Sequence, residues 1–228
     1  MKIPLFDIDR TLLEGGNRAH SLSFDYALKT VFEMPEASKS EIKTDGMIDT
    51  QILIEVLKLH NYPVGKAKEK MKKATAAMEE YYHQHLHDGK WILLPGVVNI
   101  LTVLREKGVP LGLLTGNVES IGWHKVEQAG IKDFFSFGAF GDSAYKRVDL
   151  IDVAYKRAKK ILEQKVSRDD FFIVGDSPLD ISCAQLGGIP VIAVASGNFS
   201  VEELALAGAD VVLHSLEDTK GFMKFIEE

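Results

Sequence analysis

Two short stretches of the sequence place pairs of carboxylates directly after apolar residues. Asp7 and Asp9 follow the apolar run KIPLF, and Asp176 and Asp180 follow the run DFFIVG. Carboxylates that converge repel one another unless a cation or a proton offsets their charge. A site built only from oxygen ligands selects a hard ion such as Mg²⁺. These residue types therefore predict a Mg²⁺ site, provided that the fold brings the two pairs together.

The elements around these pairs indicate such a fold. Short apolar segments bounded by Gly, Pro or Asp are typical of buried strands. They lie at residues 2–6, 109–115, 133–137, 170–175, 190–195 and 209–214. Segments with helical spacing lie at residues 95–108, 118–130, 148–164, 178–188 and 201–208. This alternation predicts an α/β fold with a Rossmann-like three-layer core, in which helices cover both faces of a mostly parallel sheet.

In an open parallel sheet, ligands bind beyond the carboxyl ends of the strands. Both aspartate pairs end predicted strands, and Thr115, Gly116 and Asn117 end the strand predicted at residues 109–115. We therefore expect three strand ends to carry polar groups to one edge of the sheet.

Residues 14–91 follow a different pattern. Three segments in this range have helical spacing and lysine-rich polar faces, with no strand pattern among them. The sequence predicts an all-helical cap domain at residues 14–91, inserted into a catalytic core made of residues 1–13 and 92–228. The two hinges are expected at residues 14–16 and 91–95.

Composition limits the partners. The formal net charge of −6 gives no reason to expect nucleic acid, which favours basic surfaces. No apolar run approaches the 18 or so residues that a membrane span needs. The lone Cys183 excludes an internal disulfide framework and is expected to be a buried thiol. We expect a cytoplasmic enzyme that binds neither nucleic acid nor a membrane, while the sequence leaves the oligomeric state open.

Three motifs carry a resemblance to a known family. FDIDRTLL resembles the Asp-x-Asp-x-Thr signature of the haloacid dehalogenase superfamily, LLTGN resembles its second motif, and IVGDSPLDISCAQLGG resembles its fourth. The motifs stand in the expected order, with a helical insertion after the first. Within the superfamily, the chain is most similar to small-molecule phosphatases related to phosphoglycolate phosphatase.

The resemblance implies roles for the aspartates. Asp7 would be the nucleophile that forms an aspartyl-phosphate. Asp9 would protonate the leaving oxygen and then accept a proton from the attacking water. Mg²⁺ would be held by the carboxylates of Asp7 and Asp176 and by the backbone carbonyl of Asp9. Asp180 would lie beyond the direct metal ligands, where it would orient the metal's waters or a basic partner.

The resemblance also implies a phosphate-binding set. Thr115, with the backbone amides of Gly116 and Asn117, would hold the phosphoryl oxygens. The third motif supplies a Lys or Arg that offsets phosphoryl and carboxylate charge, and Lys146 and Arg147 both qualify. We favour Arg147, because its spacing to the apolar Leu150 resembles a subgroup that uses arginine.

Arg10 departs from the family pattern, which has glycine at this position. A side chain here either points toward the cap or contacts the substrate. Our hypothesis from the sequence is that it contacts an anionic part of the leaving group.

These implications define an expected function. The chain is expected to be a Mg²⁺-dependent phosphatase that hydrolyses a small-molecule phosphomonoester through an aspartyl-phosphate. One alternative is a sugar phosphomutase of the same superfamily, which also keeps both aspartates. Another is a catalytically silent module that binds a phosphorylated ligand. Asp9 argues against a dehalogenase, which lacks a proton donor at that position.

Overall fold

The computed structural model describes residues 2–16, 18–86, 89–162 and 165–227, and its centre is a parallel sheet. Within these residues the sheet has six strands in the order β5-β4-β1-β6-β7-β8, and every neighbouring pair is parallel. The first strand of the chain thus lies in the middle of the sheet. The strands are β1 (Ile3–Phe6), β4 (Gly112–Leu114), β5 (Phe137–Ala139), β6 (Phe171–Gly175), β7 (Val191–Val194) and β8 (Val211–Leu213).

Helices cover both faces of this sheet. Along β1, Leu5 packs into an apolar cluster on one face, and Phe6 packs into a separate cluster on the other. This alternation follows from the two-residue repeat of a strand. The predicted three-layer α/β fold is confirmed. The core helices are α4 (Val97–Glu106), α5 (Glu119–Gln128), α6 (Asp149–Ile161), α7 (Pro178–Gly187), α8 (Val201–Leu206) and α9 (Thr219–Glu227).

One predicted strand is misplaced. The expected strand at residues 133–137 begins instead with a 3₁₀ turn, Lys132–Phe134, and β5 starts only at Phe137. Periodicity cannot distinguish a short apolar run in a turn from a buried strand. In the turn, Asp133 is exposed while Phe135 is buried in the core. Helix α9 was not among the predicted elements, although its Phe222 is fully buried.

The segment between β1 and α4 is largely helical. Its helices are α1 (Ala19–Val31), α2 (Asp49–Leu59) and α3 (Val64–Gln84). Their apolar faces form a third cluster, which extends onto the core through Val118 and Ile121 at the start of α5. The helical insertion therefore packs on the same core helix that follows the second motif, and we refer to α1–α3 and their connections as the cap.

The two segments that connect the core to the cap pair with each other as a short antiparallel ladder. Strand β2 (Leu13–Gly15) pairs with β3 (Trp91–Leu93), with Leu13 opposite Leu93 and Gly15 opposite Trp91. These strands occupy the segments predicted as hinges, where the sequence pattern gave no sign of a ladder. Among the described residues, no helix is long and apolar enough to cross a membrane.

The central position of β1 makes its core side chains important for stability. Phe6 is fully buried, and its ring lies 6.1 Å from the rings of both Phe135 and Phe222. Removing a buried Phe side chain leaves a cavity, so Phe6→Ala is expected to lower the free energy of unfolding by about 3–5 kcal/mol. Urea denaturation measures this change.

The matched control is Leu206→Ala, because Leu206 is 88% exposed. This surface variant is expected to shift the free energy of unfolding by no more than about 0.5 kcal/mol. Equal effects of the two variants would contradict the placement of β1 at the centre of the sheet.

Candidate active site

Asp7 stands directly beyond the central strand β1. Its backbone N–H donates to the carbonyl of Val174 at 2.8 Å, so the ladder with β6 holds the residue itself. The chain then turns tightly, with the N–H groups of Leu12 and Leu13 both donating to the carbonyl of Ile8. This turn leaves Asp7 buried, while the side chain of Asp9 is 43% exposed.

Asp176 and Asp180 lie at the neighbouring strand end, where β6 passes into α7. Ser177 begins the helix with a capping box, in which the Asp180 carboxylate accepts from the Ser177 N–H at 3.1 Å and from its hydroxyl at 2.7 Å. The approach is so close that a Cβ on Gly175 would lie 2.3 Å from Cγ of Asp180. Glycine is therefore required before Asp176, and the helix cap fixes the orientation of Asp180.

The two strand ends bring three carboxylates together. Asp7, Asp176 and Asp180 each offer an oxygen within 4.8 Å of the others, and all three residues are buried. Burial raises the pKa of Asp7 to about 7, with Arg147 opposing the rise and Asp180 adding to it. Burial also raises the pKa of Asp176 to about 8, and the charges of Asp180 and Asp7 add to this rise. Such a set of oxygen atoms fits a divalent cation, because an ion would offset the repulsion.

Of the two cations considered for the third motif, Arg147 lies in this cluster. Its guanidinium donates to Asp180 at 2.5 Å and to Asp7 at 3.2 Å, and it also donates to the carbonyl of Gly46 in the cap at 2.9 Å. Burial opposes its charge, but Asp180 and Asp7 outweigh burial and raise the pKa of Arg147 above its ordinary value. Lys146 is exposed and lines a separate groove between cap and core.

The second motif lies beyond β4, on the other side of β1. Thr115 and Asn117 are buried, and the Asn117 amide donates to the Thr115 hydroxyl at 2.7 Å and to Asp9 at 2.8 Å. A Cβ on Gly116 would lie 2.3 Å from the carbonyl oxygen of Met47. The glycine therefore allows the cap backbone to approach this strand end.

Lys125 is a site residue that the sequence analysis missed. It is 2% exposed, and its ammonium donates to both carboxylate oxygens of Asp9 at 2.8 Å. Burial opposes ionisation of Asp9, but Lys125 outweighs it and lowers the pKa of Asp9 below its usual range. The sequence feature that could have identified Lys125 is its spacing, which places it on the same helical face as Ile121 and Gly122, both of them buried. The lysine was not recognised because a lysine on a helix is usually exposed to solvent.

Arg10 points toward the cap. Its guanidinium binds Asp45 at 2.5 Å, and Asp45 also accepts from Asn198 at 2.9 Å. The Arg10 backbone has φ of 63°, in the left-handed region that favours glycine. Its carbonyl accepts from the Ser196 hydroxyl at 2.6 Å, which supports this conformation.

These groups face one cavity of about 610 Å³ between the sheet edge and the cap. The predicted site residues that line it are Asp7, Asp9, Thr115, Gly116, Asn117, Arg147 and Asp176. The cap contributes His20, Lys39 and Asp49, and the ladder contributes Trp91. Asp180 lies behind this surface as the partner of Arg147 and Ser177.

The sequence profile of haloacid dehalogenase-like hydrolases matches residues 4–194, which include the strand ends that carry Asp7, Thr115 and Asp176. The chain belongs to this family. A phosphoglycolate phosphatase from Rhodospirillum rubrum is 29% identical over 231 residues, covering 97% of this chain and 91% of that protein. The family and this relative confirm the predicted enzyme class, a phosphatase of the haloacid dehalogenase-like hydrolases.

Two solved structures are similar in fold along nearly the whole chain. A predicted phosphatase from Clostridium acetobutylicum superposes with a TM-score of 0.68 at 21% identity, covering 98% of both chains. A proposed β-phosphoglucomutase from Bacteroides vulgatus also has a TM-score of 0.68, at 19% identity, covering 100% of this chain and 89% of that one. At these identities the likeness shows the fold alone.

The contacts of Arg147 predict a stability effect that its neighbour does not share. Arg147→Met leaves the buried carboxylate of Asp180 without its cation, and breaking a buried ion pair in this way costs about 3–5 kcal/mol. We expect this loss in the free energy of unfolding, measured by urea denaturation at pH 7.

Lys146→Met removes the adjacent, exposed cation. It is expected to change the free energy of unfolding by no more than about 0.5 kcal/mol. If the two variants lost stability equally, the assignment of Arg147 to the acidic cluster would be wrong.

Proposed function

We propose that this family member is a Mg²⁺-dependent phosphatase that hydrolyses a small phosphomonoester through a phosphoryl group carried on Asp7. One observation carries the proposal. Asp7 lies at the carboxyl end of the central strand, in contact with Arg147, and faces a cavity that it shares with Thr115 and Asp176. A nucleophile, a cation and hydroxyl and amide groups that can bind phosphate therefore meet in one place.

The donor set fits a hard divalent ion. Asp7 and Asp176 would hold Mg²⁺ through their carboxylates, together with the backbone carbonyl of Asp9 that the family resemblance implies. Both oxygens of Asp180 already bind protein groups, so this residue suits a supporting role better than that of a ligand. A bound Mg²⁺ supplies positive charge that offsets the phosphoryl group and allows a carboxylate to approach phosphorus.

In the first step, a carboxylate oxygen of Asp7 bonds to phosphorus as the ester P–O bond breaks. The electron pair of that bond leaves with the ester oxygen, which takes a proton from Asp9. Thr115 and the backbone amides of Gly116 and Asn117 bind the phosphoryl oxygens during the transfer. In the second step, water loses a proton to Asp9 and attacks phosphorus, which frees Asp7 and releases inorganic phosphate.

We further propose that the cap, at residues 14–91, selects the leaving group, because it closes the cavity opposite Asp7. Lys39 and Arg10 line the cavity, with Arg10 in an ion pair with Asp45, and a leaving group that carries a carboxylate could bind Lys39. Small phosphorylated carboxylic acids fit this description. Phosphoglycolate is the first to test, since the relative from R. rubrum is a phosphoglycolate phosphatase.

The nucleophile is tested by Asp7→Asn. The variant keeps the size of the side chain but lacks the carboxylate that attacks phosphorus, so phosphate release from phosphoglycolate and other small phosphomonoesters is expected to fall to the assay blank. Asp133→Asn, the same change at an exposed position, is expected to retain wild-type activity. Full turnover by Asp7→Asn would contradict the proposal, and isomerisation of a sugar phosphate without phosphate release would indicate the phosphomutase alternative.

The metal site is tested without an activity assay. Mg²⁺ that binds the folded protein at 100 times its dissociation constant is expected to stabilise it by about 2.7 kcal/mol. The measurement is thermal unfolding with Mg²⁺ and with EDTA. Asp176→Asn is expected to abolish this stabilisation, while Asp133→Asn is expected to keep it. Equal stabilisation of wild type and Asp176→Asn would show that the ion binds elsewhere.

A further inference from the structure

Helix α5 carries a lysine on its buried face, and this is unusual enough to need a cause. Lys125 is 2% exposed and belongs to the same buried set as Ile121 and Val126. A buried ammonium loses its hydration, and this is tolerated only when the charge is paired and hydrogen-bonded. The partners of Lys125 therefore show what the residue is for.

The ammonium group has three N–H donors, and protein acceptors account for all of them. Besides the carboxylate of Asp9, Lys125 donates to the side-chain oxygen of Asn117 at 2.6 Å and lies 3.3 Å from Nδ1 of His20. It also lies 4.7 Å from the centre of the Trp91 ring, on the face that attracts cations. With its donors engaged in this way, Lys125 orients protein groups rather than binding a substrate oxygen.

The group most affected is Asp9. Lys125 holds both of its carboxylate oxygens, and the Asn117 amide donates to one of them at 2.8 Å. An aspartate on a turn can otherwise adopt several rotamers. Lys125 holds the Asp9 carboxylate from the side of α5. The exposed part of the Asp9 side chain faces the cavity, where a leaving group would lie.

The same lysine also reaches the cap. His20 belongs to α1, and its Nε2 lies 2.9 Å from a carboxylate oxygen of Asp49 at the start of α2. That oxygen accepts the backbone N–H of Val118, which precedes α5, at 2.9 Å. Two cap residues thus contact α5, one at its beginning and one at Lys125.

From these contacts we propose that Lys125 is a positioning residue, which sets the orientation of Asp9 and links it to the position of the cap through His20. The proposal rests on the proposed function, in which Asp9 donates a proton to the leaving group. Geometry matters in such a step, because proton transfer requires the two heavy atoms to be within hydrogen-bond distance. When the cap lies as in the structure, Lys125 is held between Asp9 and His20.

Two esters with different leaving groups give the test. An alkyl alcohol leaves only if it is protonated, whereas p-nitrophenolate leaves without a proton. Lys125→Met also removes the charge that lowers the pKa of Asp9, so a selective loss for the alkyl ester reports lost orientation of the acid. The variant is expected to lower kcat/KM for the best alkyl phosphate substrate at least about tenfold more than for p-nitrophenyl phosphate, since general acid catalysis contributes about 10²–10⁴-fold. The matched control is Lys132→Met, because Lys132 lies at the surface beside Glu127. It is expected to leave both values unchanged.

A double-mutant cycle shows whether Lys125 acts through Asp9. In an Asp9→Asn background, Lys125→Met is expected to change kcat/KM for the alkyl ester by no more than about twofold, because the group that Lys125 positions no longer carries a proton to transfer. His20→Ala removes the link to the cap and keeps the bonds to Asp9. His20→Ala is expected to lower kcat/KM for the alkyl ester more than for p-nitrophenyl phosphate, as Lys125→Met does, but by a smaller factor.

The outcomes separate this inference from the proposed function. If the wild type hydrolyses both esters and Lys125→Met lowers kcat/KM equally for both, Lys125 is structural and the inference is wrong. If Lys125→Met does not fold, an equal loss for both esters in His20→Ala overturns the inference in the same way. A wild type that hydrolyses neither ester contradicts the proposed function, and the role of Lys125 falls with it.

Discussion

The structure of this protein depends on the repulsion among three buried carboxylates and on the groups that offset it. Asp7, Asp176 and Asp180 share one edge of the sheet, and Arg147 donates to two of them. Burial raises the pKa of Asp7 and of Asp176, and the neighbouring carboxylates add to the rise, because one guanidinium cannot neutralise all three. A divalent ion in the proposed site would offset the remaining negative charge, and this would allow an anionic phosphoryl group to approach Asp7. The charge of the cluster thus favours the metal, and the substrate depends on the metal in turn.

The cap is joined to this centre by polar contacts close to the reacting groups. Gly46 accepts from Arg147, and the N–H of Asp49 donates to the carbonyl of Gly116 at 2.8 Å. Arg10 and Asp45 form an ion pair at the rim, which is exposed enough to contribute little to stability. These polar contacts accompany the apolar cluster that includes Val118 and Ile121, so contacts of both kinds hold the cap on the core.

From the sequence we could predict the site residues that directly follow a buried strand. Asp7, Thr115 and Asp176 each end a buried strand, and parallel strands must bring their carboxyl ends to one edge. Lys125 was missed although its spacing places it on the buried face of α5, because a lysine on a helix is normally solvated. The sequence could not predict the ladder of β2 and β3, since three residues are too few to show a strand period. The sequence favoured Arg147 over Lys146 by its spacing, but only coordinates show which of the two reaches the aspartates, because adjacent residues before a helix point in different directions.

The central claim is that Asp7 receives the phosphoryl group, and trapping that group tests it most directly. The protein would be mixed with an excess of a substrate that it hydrolyses, quenched in acid within milliseconds, digested and analysed by mass spectrometry. The account predicts a phosphoryl group on the peptide that contains Asp7, which hydroxylamine removes and which Asp7→Asn lacks. Rapid substrate turnover with the phosphoryl group on another residue, or the same label on Asp7→Asn, would contradict it.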